Sequence, residues 1–367
     1  MVRYGRLCCR EEWNKLNSLH FGMAVGINRY PGIAGAEDLS FARSDAKRFH
    51  KWLVSPAGGA VPKENTALLR DPGGPRPVST LRNAYPTQCH VSEVFEAWET
   101  KVKAQAAVGH PAWRDTRAYI YVAGHGYAPP DGVAALLVAD ATDRRLGAHI
   151  EIQRYVEWLV SCALFREVLV FCDCCRRRYV NAAVASPTGF GTCNLNAPVE
   201  VFALVGYAAR VGEDALEPED PADPDHARGV FTGALLDGLE GAAAHDGEVT
   251  SARLAVYVRD AVERQTKDAW VPQKVEFPGD LSQQMVVCKV ASPPRRKVTV
   301  RFPDGASGTA DIRTGPFQLV ASHTLDGKPW SIELEDGLYE LAPGDIASGF
   351  EGAPFKVIGE DRDVDAR

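Results

Sequence analysis

Two short runs constrain this chain more than anything else in it. Tyr119-Ile120-Tyr121-Val122-Ala123 and Val168-Leu169-Val170-Phe171-Cys172 are apolar at every position. A strand with one wet face alternates apolar and polar residues, whereas a strand that is apolar throughout is buried on both faces. Sheets of that kind are mostly parallel and carry helices on both sides. Each run then breaks into polar chemistry, the first at Gly124-His125-Gly126 and the second at Asp173-Cys174-Cys175. Reactive groups of open α/β sheets stand at the carboxyl ends of strands. Two adjacent strands ending in His125 and Cys175 bring an imidazole beside a thiol, the arrangement of a Cys–His nucleophile pair.

The rest of the first 290 residues supports an α/β fold. Strands are expected at Phe21–Ile27, Thr66–Arg70, Ala134–Asp140 and Val199–Tyr207, with helical periodicity at 39–53, 91–102, 150–164, 233–242 and 251–265. The helix over 39–53 shows its inward face as Leu39, Ala42, Ala46, Phe49 and Leu53. Residues 71–90 and 181–198 read as loops. Residues 212–225 are acidic and read as a solvated loop. The pattern changes at Ser292-Pro293-Pro294-Arg295-Arg296. Beyond it, short alternating segments at 298–302, 317–320, 330–334 and 339–341 fit a small all-β sandwich. The expected organisation is an N-terminal arm over 1–20, an α/β domain over 21–291 and a β-sandwich domain over 297–360.

A net charge of -7 argues against a general nucleic-acid binder. The chain has no 18-residue apolar run for a membrane span and no apolar N-terminal core for a secretory signal. Nine cysteines, an odd number without framework spacing, read as reduced thiols in a cytoplasmic protein. Cys8, Cys9, Cys89, Cys162, Cys193 and Cys288 read as small core or surface residues.

A thiol is a nucleophile only as thiolate. His125 can take its proton and later protonate a leaving amine. The backbone N–H groups of Gly126 and Cys175 are candidates for stabilising an oxyanion. Strand alternation puts Cys172 and Cys174 on one face and Asp173 and Cys175 on the other. The strand-end position favours Cys175 as nucleophile, with Cys174 as the alternative. A metal site built from Cys172, Cys174, Cys175 and His125 is disfavoured, because ligands so close on one strand end point to opposite faces.

Five blocks in order carry a family resemblance: Met23 to Asn28, Ala42-Arg43-Ser44-Asp45-Ala46, Gly124-His125-Gly126, Asp173-Cys174-Cys175 and Gly229-Val230-Phe231-Thr232. Together they resemble the caspase-like cysteine peptidases of clan CD, most of all the prokaryotic and metacaspase branch, over roughly residues 20–290. His125 precedes Cys175 by 50 residues, which also fits that family. The resemblance implies a caspase-like three-layer sandwich and an endopeptidase with His125 as base and Cys175 as nucleophile. It implies Asp45 and Asp173 as the acids of the S1 pocket. Two carboxylates facing a buried slot would bind a guanidinium by bidentate, charge-assisted bonds, so cleavage after Arg or Lys is expected. That preference makes Arg178 and Arg228 candidate self-cleavage points.

One departure stands out. Metacaspases usually follow the cysteine with His-Ser-Gly, whereas Arg176-Arg177-Arg178 follows here. The arginines are expected to depress the Cys175 pKa, to dock the acidic 212–225 segment, or to lie exposed. No cofactor is implied. A calcium site through Asp140 and Asp143 is a further metal alternative. The expected partners are protein substrates and an activating or inhibiting protein docked on the C-terminal β domain, by family analogy in bacterial stress or defence. Two rival readings remain: an inactive caspase-fold scaffold, and a binding protein that works through its β domain.

Overall fold

The computed structural model describes residues 17–34, 36–72, 81–128, 134–144, 148–178, 199–217, 228–279, 285–290, 295–314, 319–344 and 349–366. The expected N-terminal arm lies almost wholly outside these residues. The two apolar runs are neighbouring strands of one parallel sheet. Its members are β1 (His20–Gly26), β2 (Thr66–Arg70), β3 (Arg117–Ala123), β7 (Glu167–Asp173) and β9 (Phe202–Tyr207), in the order β2-β1-β3-β7-β9. All four pairings are parallel, and the register sets Gly26 beside Ala123 and Ala123 beside Asp173.

Strand alternation sorts the side chains into two cores. On one face Met23, Val25, Ile120, Val122, Val168 and Val170 pack under α2 (Gln88–Ala106) and α3 (Ile152–Cys162). On the other, Tyr119, Tyr121, Leu169, Phe171 and Leu204 pack under α1 (Ala42–Val54), α4 (Val230–Asp237) and α5 (Ser251–Thr266). Phe49 of α1 stacks on Tyr121 with ring centroids 4.8 Å apart. The expected α/β three-layer arrangement is therefore the one observed, since strands apolar on both faces need a helical layer on each.

Element ends shift for local reasons. Helix α2 starts at Gln88, three residues earlier than its apolar periodicity, because Thr87 and His90 form a reciprocal cap. Helix α4 starts at Val230 and gives way to one π turn over Gly238–Ala242, where Gly241 has φ 124° and ends the regular helix. A second, four-stranded sheet grows out of the His strand: β4 (Gly126–Ala128), β5 (Ala135–Leu137), β6 (His149–Glu151) and β8 (Arg177–Arg178). The strands β10 (Glu248–Thr250) and β11 (Val286–Lys289) form an antiparallel pair. Arg117, buried at the start of β3, ties β11 to the main sheet by donating to the carbonyls of Val286 and Val287.

After residue 294 the described chain is all β. The strands β12 (Arg295–Arg301), β15 (Trp330–Glu335) and β18 (Arg362–Asp365) make one sheet. A second contains β13 (Thr309–Thr314), β14 (Leu319–Thr324), β16 (Gly337–Pro343) and β17 (Ala353–Val357). They share a separate core of Val298, Val300, Ile312, Trp330, Leu341 and Val357. Polar contacts reach back to α5, from Lys356 to Asp260 and from Arg264 to the Ile358 carbonyl.

Cysteine usage departs from the expectation of nine reduced thiols. Cys89, Cys172, Cys174, Cys175 and Cys288 are free, but Cys162 is disulfide-bonded, with its partner outside the described residues. No helix among the described residues is long and apolar enough to cross a membrane.

Candidate active site

Strands β3 and β7 end side by side, and the Gly124 N–H donates to the Asp173 carbonyl at 3.2 Å. This places His125 and Cys175 on one cavity of about 40 Å³, together with Asp45, Asp173, Glu217 and Gly229. The four side chains singled out as base, nucleophile and pocket acids thus meet at a single place.

His125 is gripped from the loop after β1. Its backbone N–H donates to the Tyr30 hydroxyl at 2.9 Å, and its ring packs on the Tyr30 ring at 5.0 Å. Its Nε2 lies 2.8 Å from the Glu37 carbonyl. A carbonyl only accepts, so Nε2 carries the proton and Nδ1 is left as the acceptor.

The three cysteines divide as alternation requires. The Cys172 and Cys174 sulfurs lie 3.1 Å apart in the buried core. Hydrogen bonding to Cys172 and burial push the Cys174 thiol well above its ordinary pKa. Cys175 is the partly exposed one. Gly126 passes so near that a Cβ there would stand 2.5 Å from the Cys174 sulfur and 2.8 Å from the Cys175 carbonyl, so only glycine fits. Among the described residues no three His, Cys, Asp or Glu side chains gather as a metal site. Asp143 accepts the Ala34 N–H at 3.1 Å.

The cysteine is covered by its own chain. The Ala215 N–H donates to the Cys175 sulfur at 3.4 Å, and the thiol faces the Ala215 carbonyl at 3.8 Å. Burial pushes the thiol up to about 12, the Ala215 N–H working against it and Asp214 with it. The arginine run therefore does not depress this pKa in the state seen. Arg176 turns inward, with its guanidinium 4.3 Å over the Tyr207 ring and bonded to the Ala209 carbonyl and Glu276. Arg177 forks onto Asp214 with two bonds of 2.5 Å and holds that carboxylate below its usual range. The Arg178 backbone pairs with Ala128, and its side chain lies outside the described residues.

Residues 213–217 correct the expectation of a solvated acidic loop. The Glu213 carbonyl accepts the Arg176 N–H at 3.0 Å. Leu216 donates its N–H to the buried Gln273 side chain at 2.8 Å. The Glu217 carboxylate accepts the Ser40 and Phe41 N–H groups at 2.9 and 3.0 Å. Two of the three acids, Asp214 and Glu217, have specific donors to their carboxylates, while Glu213 is held through its backbone carbonyl; three acids in five residues gave no composition signal for that. Residues 218–225 of that segment lie outside the described residues.

Asp45 stands in the first turn of α1, is 1% exposed, and accepts the Gly229 N–H at 2.8 Å and Arg48 at 3.1 Å. Burial raises its pKa to about 7, with a further push from Asp173. Asp173 accepts the Thr232 hydroxyl at 2.5 Å, and burial raises it to about 6. A Cβ on Gly229 would sit 2.9 Å from Asp173 Oδ2 and 3.2 Å from Asp45 Oδ2, so this glycine lets the backbone close over both acids. Arg228 points elsewhere, bonding Asp237 at 2.7 Å. Tyr30, Glu37, Glu217 and Gln273 were not legible as site residues. Thr232 was, in part, because it closes the Gly-Val-Phe-Thr block.

No family model matches the chain. It is similar to a probable protease from a Desulfuromonadales bacterium, 26% identical over 232 residues that cover 60% of this chain and 26% of that protein. Its likeness in sequence is to a protease. The chain spans about a quarter of that relative's length. Among solved structures it is similar to caspase-1 from Spodoptera frugiperda, with 15% identity and a TM-score of 0.45, covering 75% of this chain and 95% of that one.

Proposed function

We propose that this chain is a caspase-like cysteine endopeptidase that cleaves after Arg or Lys through His125 and Cys175. The observation that carries this reading is the convergence of His125, Cys175, Asp45 and Asp173 on one cavity at the ends of adjacent strands. His125 Nδ1 takes the thiol proton, and the thiolate adds to the scissile carbonyl. The N–H groups of Gly126 and Cys175 stabilise the oxyanion, and the imidazolium returns the proton to the leaving amine. Water then hydrolyses the acyl-enzyme with His125 again as base. A P1 guanidinium draws Asp45 and Asp173 into their charged forms and forks across them, while a P1 carboxylate meets like charge.

The cavity of about 40 Å³ has room for a few waters at most and not for an arginine side chain. Ala215 must leave the thiol, and the 213–217 segment must swing outward, before a substrate enters. That requirement supports an enzyme regulated by a partner or by self-cleavage, and self-cleavage after Arg228 needs its side chain to leave Asp237. We place a domain boundary at Pro293-Pro294 and assign the β sandwich to partner docking. A second reading, an inactive caspase-fold scaffold, is favoured by the covered, neutral Cys175.

A panel of fluorogenic peptides varied at P1 tests the proposal on wild type, Cys175→Ala, Asp45→Ala and Asp173→Ala. Turnover of Arg and Lys peptides, lost in Cys175→Ala and reduced in both Asp variants, is expected. Preference for P1 Asp, or Arg turnover untouched in both Asp variants, overturns the pocket. No turnover and no labelling of Cys175 by an Arg-directed ketone favours the scaffold.

A further inference from the structure

The hydroxyl of Tyr30 closes a hydrogen-bond circuit around the proposed base. The His125 N–H donates to Tyr30 Oη at 2.9 Å, and Tyr30 Oη donates to the Leu137 carbonyl at 3.3 Å. The Leu137 N–H donates back to the His125 carbonyl at 2.9 Å. One buried hydroxyl therefore serves as acceptor and donor at once, and both backbone groups of His125 are fixed through it and its partner strand. The tyrosine is 5% exposed, and burial holds its hydroxyl neutral by raising its pKa well above the ordinary value.

We infer that Tyr30 is the positioning residue of His125. The inference rests on the peptidase reading and extends it. His125 sits between two glycines, Gly124 and Gly126, which have no side chains to brace it. A base in such a setting needs an external register. The Tyr30 hydroxyl fixes the backbone of residue 125, the Tyr30 ring supports its imidazole face, and the Glu37 carbonyl then meets Nε2. Gly124 permits this closeness, because a Cβ there would stand 2.3 Å from Tyr30 Oη. Tyr30 is not among the residues lining the cavity that holds the thiol and the acids, and it acts on the reaction through His125.

The test uses the full chain and two variants that disturb the same hydroxyl. Tyr30→Phe removes it, and Gly124→Ala pushes it away. Both should lower kcat on a P1-Arg peptide by about tenfold to a hundredfold, the cost of misplacing a catalytic group by about 1 Å, and leave KM unchanged. Both should also speed hydrogen exchange of the His125 amide while a far-ultraviolet melt shows the chain folded at the assay temperature. Unchanged kcat in Tyr30→Phe, or a fall in kcat only where the melt shows unfolding, overturns the inference. If wild type hydrolyses no peptide, the peptidase reading fails separately. The inference is then read from the rate at which iodoacetamide alkylates Cys175: Tyr30→Phe should match His125→Ala and lie below wild type. Equal rates in all three overturn it.

Discussion

Replacing Asp45 with Asn should stabilise this protein at high pH while it harms the proposed pocket. The Asp45 carboxyl ionises near 3.8 in the unfolded chain and at about 7 in the folded one, chiefly because burial disfavours its charge. Between those pH values the folded state holds a proton that the unfolded state has lost. Stability therefore falls as pH rises through the window, by about 1.36 kcal/mol per unit. Below about 4 both states are protonated, and above about 7 both are ionised, so the slope vanishes at either end. From pH 5 to pH 8 only the two units below 7 count, which amounts to about 2.7 kcal/mol. The favourable contact with Arg48 is already contained in that raised value.

Asn keeps the shape, does not titrate, and can still accept the Gly229 N–H. The stability of Asp45→Asn relative to wild type should thus rise by about 2–3 kcal/mol between pH 5 and pH 8. Urea unfolding at pH 5, 6, 7 and 8 measures it. Parallel pH curves for the two proteins would refute the reasoning, as would a variant that loses ground with rising pH. In the same preparation, turnover of P1-Arg peptides should drop. A carboxylate kept at a cost to folding and needed for turnover is the signature of a functional acid.

Cys175→Ala and His125→Ala should each abolish peptide hydrolysis with the fold retained by circular dichroism, and the double variant should lose little more. Cys174→Ala should keep its activity; loss there, with activity kept in Cys175→Ala, would move the nucleophile by one residue. A chain ending near residue 291 should stay soluble and melt cooperatively, because the β strands beyond it build their own core around Val298, Ile312 and Leu341. An insoluble or non-cooperative product would show that the contacts of Lys356 and Ile358 with α5 are needed by the main fold.

The sequence by itself determined the sheet and the ends of its two central strands. Uninterrupted apolar runs leave no face for water, so β3 and β7 had to be buried in a parallel sheet between helices. Period-two alternation then separated Cys175 from Cys172 and Cys174 without any tertiary information. The tertiary structure alone decided what surrounds those ends. Asp45 receives the N–H of Gly229, 184 residues away, and His125 rests on Tyr30 across 95 residues. Contacts at such separations depend on strand order and helix placement, which leave no trace in a window of a dozen residues. The acidic 213–217 segment shows the same limit. Its composition predicted hydration, but Arg177 supplies donors to Asp214, and the Ser40 and Phe41 amides supply them to Glu217. Anchored at those two side chains, the segment packs over the thiol instead of standing wholly in water.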